Sequence, residues 1–198
     1  DCDLVESTSA VINFTTDCEV ASLDYVEDFE DFLNPCWSKA TGTATGPDSF
    51  GSSSWFGASS SQFGSQAARY NMYTNTTAQW MVSQIIDLGA GSTDYVMSFD
   101  IAATVWNSPN ATTFGDDDEV AAMISTDGGA TWVELISFSA GSTPSNNGQS
   151  ESIDLSAYSG EVQFGFYAIA SSDFGSDHWV YIDNFFVGTP PQCFPVGA

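Results

Sequence analysis

Few side chains in this sequence can move a proton or grip an anion. There is one histidine, His178, set between Asp177 and Trp179, with one arginine, Arg69, and one lysine, Lys39. Serines abound, but no G-x-S-x-G elbow occurs, so a Ser-His-Asp relay has no motif behind it. A lone histidine at a strand start is more often structural than catalytic. Carboxylates are plentiful, 26 in all, so pairs suited to glycoside hydrolysis carry no information. Catalysis is not expected. What such a chain does offer is oxygen ligands for a hard cation such as calcium. The densest run is Asp116, Asp117, Asp118 and Glu119, with Asp118 the first choice and Asp173 and Asp177 weaker. No EF-hand spacing is present, so the site would be dispersed. A solvated charged loop is the plainer reading of the same run.

That run opens onto a β-hairpin. Residues 120–124 and 132–136 are apolar, and Ser125-Thr126-Asp127-Gly128-Gly129-Ala130-Thr131 joins them, with Asp-Gly-Gly supplying the positive-φ positions of a tight reversal. With Trp132 the segment also satisfies the Asp-box pattern of sialidase propellers. A propeller repeats that box in each blade and a sialidase needs several arginines, so neither reading holds. Residues 95–105 alternate apolar and lighter positions, the cleanest strand pattern in the chain. Further strands are expected at 25–32, 66–73, 80–88, 150–155, 162–169 and 179–187. Residues 41–66 read as a long Gly-, Ser- and Thr-rich connection pinned by Phe50, Trp55, Phe56 and Phe63. Nine to eleven short strands and no amphipathic helix give an all-β fold, a two-sheet jelly-roll sandwich.

The formal charge of −24 argues against nucleic acid and anionic membranes as partners. It suits a salty medium, where screening shortens self-repulsion, or neutralisation by divalent cations. Four cysteines without a CxxC pair imply disulfides and an oxidising compartment, with Cys18 and Cys36 spaced for a local bridge. No apolar run approaches the roughly 20 residues that span a bilayer. Residues 1–17 read as the tail of a preceding module, with one short strand, and 189–198 as a Pro-rich linker or the start of the next. Both ends resemble the edges of fibronectin type III modules, which leaves 18–188 as the main domain. Pairing of Cys2 and Cys193 stays open.

Asp28-Phe29-Glu30-Asp31 followed by Cys36-Trp37 resembles the opening of MAM domains, and Tyr181-Ile182-Asp183-Asn184-Phe185 resembles their closing strand. The middle is similar to the cleaved-adhesin and choice-of-anchor J domains of Bacteroidota surface proteins. The matching pieces are Ser83-Gln84-Ile85-Ile86-Asp87-Leu88, the Asp-Gly-Gly hairpin ending in Trp132, and residues 153–166. This MAM-like resemblance implies an extracellular, non-catalytic jelly roll used in adhesion or binding and often stabilised by calcium. It also implies that the first and last strands pair, which would bring Glu30 and Asp183 together. Two carboxylates so placed repel unless a proton or a cation intervenes, so Glu30 and Asp183 join Asp118 as candidate calcium ligands.

Glycan binding is the companion expectation. Jelly-roll modules hold sugars on aromatic rings flanked by polar groups, and Trp106, Phe114, Phe174 and Trp179 fall at or near expected loops. The sequence thus predicts a calcium-stabilised adhesion or binding module of a secreted or surface protein. Its partners would be an extracellular glycan or protein surface and the neighbouring domains of the same chain. A carbohydrate-binding module attached to a polysaccharide-degrading enzyme, or a structural filament repeat, are the alternatives.

Overall fold

The computed structural model describes residues 18–170 and 177–190, and over these the chain forms thirteen strands. The first seven are β1 (Tyr25–Glu27), β2 (Ser38–Thr43), β3 (Gly46–Phe50), β4 (Phe56–Ser59), β5 (Gln66–Met72), β6 (Ala78–Val82) and β7 (Ile86–Asp87). Then come β8 (Val96–Val105), β9 (Glu119–Ser125), β10 (Val133–Phe138), β11 (Gln149–Asp154), β12 (Glu161–Ile169) and β13 (His178–Gly188). They pack as two antiparallel sheets. The front sheet runs β11-β8-β13-β5-β4, with β1 beside β13 beyond the end of β5; the back sheet runs β10-β9-β12-β6-β2-β3, with β7 on β12. The two-sheet sandwich expected from the sequence is the fold.

Alternation decides what lies between the sheets. Phe99 and Ile101 from β8, Phe164 and Phe166 from β12, and Val180, Ile182, Phe185 and Val187 from β13 are all buried there. Phe185 meets Trp37 edge-on at 5.3 Å and Phe166 at 5.8 Å, so rings from both sheets and from the segment after β1 interlock. The β1–β13 pairing implied by the family resemblance is present, with Tyr25 opposite Val187 and Glu27 opposite Phe185. Cys18 and Cys36 are bonded around this entry segment. Closing a loop of that size contributes about 3 kcal/mol in the chain-entropy picture.

Three expected elements differ in extent. Residues 41–66 are not one long connection: they hold the end of β2, all of β3 and β4, and the start of β5. β2 and the edge strands β3 and β4 are short and carry mostly small or polar, partly exposed residues, so they lack the apolar alternation that marks a strand. Backbone packing supplies what side chains do not: at Gly42, beside a bulge, a Cβ would meet the Gly46 carbonyl oxygen at 2.3 Å. The first strand stops at Glu27 rather than running to Phe32. Glu27 Oε1 accepts the Phe29 amide at 3.0 Å, and Phe29 turns at φ 52° to drop its ring into the core. The expected strand at 80–88 is split into β6 and β7, the two pieces pairing with opposite ends of β12.

The Asp-Gly-Gly hairpin forms as expected, between β9 and β10. Asp127 organises it, taking the Thr131 amide at 2.8 Å, the Thr131 hydroxyl at 2.6 Å and the Ser125 hydroxyl at 2.8 Å. These bonds, the Thr131 hydroxyl first, lower its pKa from 3.8 to about 2. A carboxyl depressed by folding stabilises the fold above its unfolded pKa and loses that contribution as pH falls through the folded value. Asp127→Asn should therefore show a shallower fall in Tm than the parent between pH 3.8 and about 2. Parallel curves from circular dichroism melts would contradict this.

Candidate functional site

The outer face of the front sheet is built by the odd-numbered residues of the first half of β13. Val180 and Ile182 point to the core, so Trp179, Tyr181 and Asp183 point away from it. Register then sets their neighbours. Tyr181 lies between Arg69 on β5 and Ala102 on β8, and Arg69 in turn lies opposite Phe56 on β4. The result is an aromatic clamp on the chain's one arginine. The guanidinium carbon is 4.1 Å from the Trp179 ring centroid, 4.8 Å from Phe56 and 5.9 Å from Tyr181. Trp179 and Phe56 also touch edge-on, 5.9 Å apart.

Above this floor lies a cavity of about 410 Å³. Arg69, Trp179 and Tyr181 line it from below, Ser59 from the end of β4, Ser61 and Gln62 from the loop that follows, and Asn107, Ser108 and Pro109 from the loop after β8. The walls thus present hydroxyls and amides around aromatic rings. Arg69 has no carboxylate within ion-pair distance among the described residues, and its buried Nε donates to nothing. In a chain of 26 acids an unpaired arginine is a conspicuous exception.

Further along the same face, Asp183 and Asp100 lie opposite one another on β13 and β8. Asp183 is 1% exposed; its Oδ2 takes the Ser65 hydroxyl at 2.7 Å and its Oδ1 the Asn184 amide at 2.8 Å. Burial pushes its carboxyl pKa up, and the nearby charges of Asp100 and Glu30 add to the rise. Exposed Glu30 is held beside this group, its Oε1 taking the Gln66 amide at 3.2 Å. Asn184 sits in a bulge at φ 50° and donates from Nδ2 to Asp100 at 2.8 Å. Asp100 also takes the Ser150 hydroxyl. A second, polar cavity of about 270 Å³ opens here over Asp100, Ser150 and Asn184, separated from the first by the Gln62–Phe63 turn.

Glu30 and Asp183 are therefore brought together, and Asp118 is not with them. Asp118 lies against His178, five residues up β13 from Asp183 and on the inner side, roughly 16 Å of strand away. No single ion reaches all three. Asp118 is 1% exposed because it closes its own loop, taking the Gly115 amide at 2.9 Å. His178 stands between Asp118, 3.4 Å from Nε2, and the Thr112 hydroxyl, 2.6 Å from Nδ1, with the Phe114 ring against it at 5.9 Å. Hydroxyl, imidazole and carboxylate stand in the order of a hydrolase relay. All three are buried beneath the sandwich end, however, and none of them lines either of the two cavities on the front sheet.

Of the four aromatic candidates, Trp179 floors the larger cavity. Trp106, 47% exposed, immediately precedes the loop that walls it. Phe114 is a core residue rather than a surface one, and Phe174 lies outside the described residues, as do Asp173, Cys2 and Cys193. Arg69, Tyr181 and Asp100 were missed by sequence reasoning. The signal was available in the phase of β13: once Ile182 is assigned to the core, Tyr181 and Trp179 must face out together.

The corresponding outer face of the back sheet is closed by its own side chains. Trp80 is fully buried there under Trp132, which reaches back from the hairpin.

No protein-family model and no curated protein matches this chain. Solved structures do. TmCBM61 in complex with β-1,4-galactotriose superposes with a TM-score of 0.50 at 14% identity, over 82% of this chain and 94% of that one. The K3 cleaved adhesin domain of Lys-gingipain from Porphyromonas gingivalis gives 0.51 at 14% identity, over 83% and 96%. A structure of carbohydrate-binding modules from the β-sandwich superfamily gives 0.52 at 11%, over 85% of this chain and 62% of that one. At such identities the likeness is one of fold: this chain is a two-sheet antiparallel sandwich built like these modules.

Proposed function

We propose that this chain is a non-catalytic binding module of a secreted or surface protein, and that it takes an extracellular glycan on the outer face of its front sheet. The observation that carries this is the cavity of about 410 Å³ over Arg69, Trp179 and Tyr181, where a partly exposed tryptophan and a ring-clamped guanidinium meet hydroxyl and amide walls on a rigid sheet. The printed ligand of one structural neighbour, a β-1,4-galactotriose, supports the ligand class. The adhesin neighbour and the motif series around residues 83–88 and 153–166 support kinship with the MAM-like adhesion domains. The Cys18–Cys36 bond supports an oxidising, extracellular setting. Calorimetric titration of neutral and acidic oligosaccharides into the protein tests the reading. Binding that Trp179→Ala weakens by about thirtyfold supports it, and no binding to any glycan ends it.

Calcium belongs to the same proposal, at Glu30 and Asp183 with Asp100 as the added ligand. The donors suit a hard cation, being carboxylates beside a hydroxyl and an amide oxygen. Asp183 is buried between two like charges with no basic group paired to it. Among the described residues no three acidic, cysteine or histidine side chains already stand as a ligand set, so an ion would compete with the Ser65 and Asn184 bonds. Bound, it would neutralise this cluster and tie the turn after β1 to β13. Thermal unfolding in calcium against EDTA checks this. A ligand at a hundred times its Kd adds about 2.7 kcal/mol, a rise of several degrees that Asp183→Asn should abolish. An unchanged Tm contradicts it.

A further inference from the structure

We infer that the glycan carries one anionic group, a uronate carboxylate or a sulfate ester, placed over Arg69, with neutral sugars on either side; this rests on the glycan reading above. Two features of the face divide the labour. At one end, the Arg69 guanidinium is clamped by Trp179 and Phe56, lines the larger cavity, and has among the described residues neither an ion-pair partner nor an acceptor for its buried Nε. A neutral sugar could be held by the rings alone. A fork of N–H donors held in place by rings is what an oxyanion needs. None of the carboxylates among the described residues reaches ion-pair distance of Arg69, although the chain is rich in them.

The other end of the face sets the limit. The second cavity is lined by Asp100, Ser150, Gln149 and Asn184, with Asp183 beneath, and these offer acceptors and amides to sugar hydroxyls. A second anion there would lie against carboxylates. The chain's net charge of −24 opposes a polyanion as a whole, for the same reason that it opposes nucleic acid. A sparsely charged glycan meets both conditions, and a homopolymer of uronic acid meets only the first.

The test is a ligand series titrated in EDTA. It comprises a neutral β-1,4-linked oligosaccharide bearing one glucuronate branch, the same compound as its methyl ester, its singly sulfated counterpart, and a homo-oligouronate of equal length. A charge-assisted pair adds about ten- to hundredfold in affinity. The acid or the sulfate should exceed the ester by that factor, and whichever does names the oxyanion. The homo-oligouronate should bind more weakly than the singly charged ligand. In Arg69→Gln the ratio of charged ligand to ester should collapse to about one, whatever happens to the absolute affinities. Arg69→Lys should fall between, keeping the charge and losing the fork. If charged ligand and ester bind the parent equally while Trp179→Ala still weakens binding, the anionic inference fails and the glycan reading stands. Tighter binding of the homo-oligouronate overturns the single-charge limit. If no member binds, both readings fall.

Discussion

Replacing Trp179 with alanine is expected to weaken glycan binding by about thirtyfold, equivalent to roughly 2 kcal/mol, the scale of an aromatic hot spot. Two losses combine. The ring is the largest apolar surface on the cavity floor, and it is also the platform for the Arg69 guanidinium 4.1 Å away. Without it the guanidinium has only Phe56 and Tyr181 to hold it. The stability cost should be smaller, because Trp179 is half-buried on an outer face rather than in the core. Titration beside thermal unfolding separates the two effects. Unchanged affinity would remove Trp179 from the site.

Trp80→Ala is expected to act the other way, costing about 3–5 kcal/mol of stability through lost burial and the cavity left behind. Trp80 is fully buried, 5.0 Å from Tyr167 and 5.4 Å from Trp132, and its Nε1 donates to the Thr43 carbonyl at 3.0 Å. Gly165 exists to admit it: a Cβ there would stand 3.0 Å from the Trp80 ring and 3.1 Å from Trp132. Removing the indole unseats Trp132 and frees the Thr43 carbonyl together. Domains of this kind have about 5–15 kcal/mol in total, so the variant should unfold at a far lower urea midpoint. A shift below 1 kcal/mol would mean that Trp80 and Trp132 do not form the closed layer described, and that the back sheet is open enough to hold ligand itself.

The fold was legible wherever local chemistry and tertiary packing agree. Asp-Gly-Gly fixed the β9–β10 hairpin, and period-2 alternation marked β8. It was illegible at β2 and at the edge strand β3 beside it, whose small and polar residues obey no apolar period. The candidate site was legible only in part. Proximity of Glu30 and Asp183 came from the resemblance, since strand pairing across some 150 residues leaves no mark in either segment. Asp118 was read as a loop ligand because sequence cannot show that His178 lies above it. Phe114 failed for a similar reason: the turn that carries it folds inward. Arg69 looked like an ordinary strand residue, and its importance appears only when β4, β5 and β13 align to put rings on three sides of it.

The most direct test is two-dimensional NMR of the protein during titration with the singly charged oligosaccharide. Binding on the front sheet shifts the Arg69 Nε–H and the Trp179 indole N–H and leaves Trp80 and Trp132 unmoved. Shifts confined to Trp80 and Trp132 would put the ligand on the opposite sheet and contradict it.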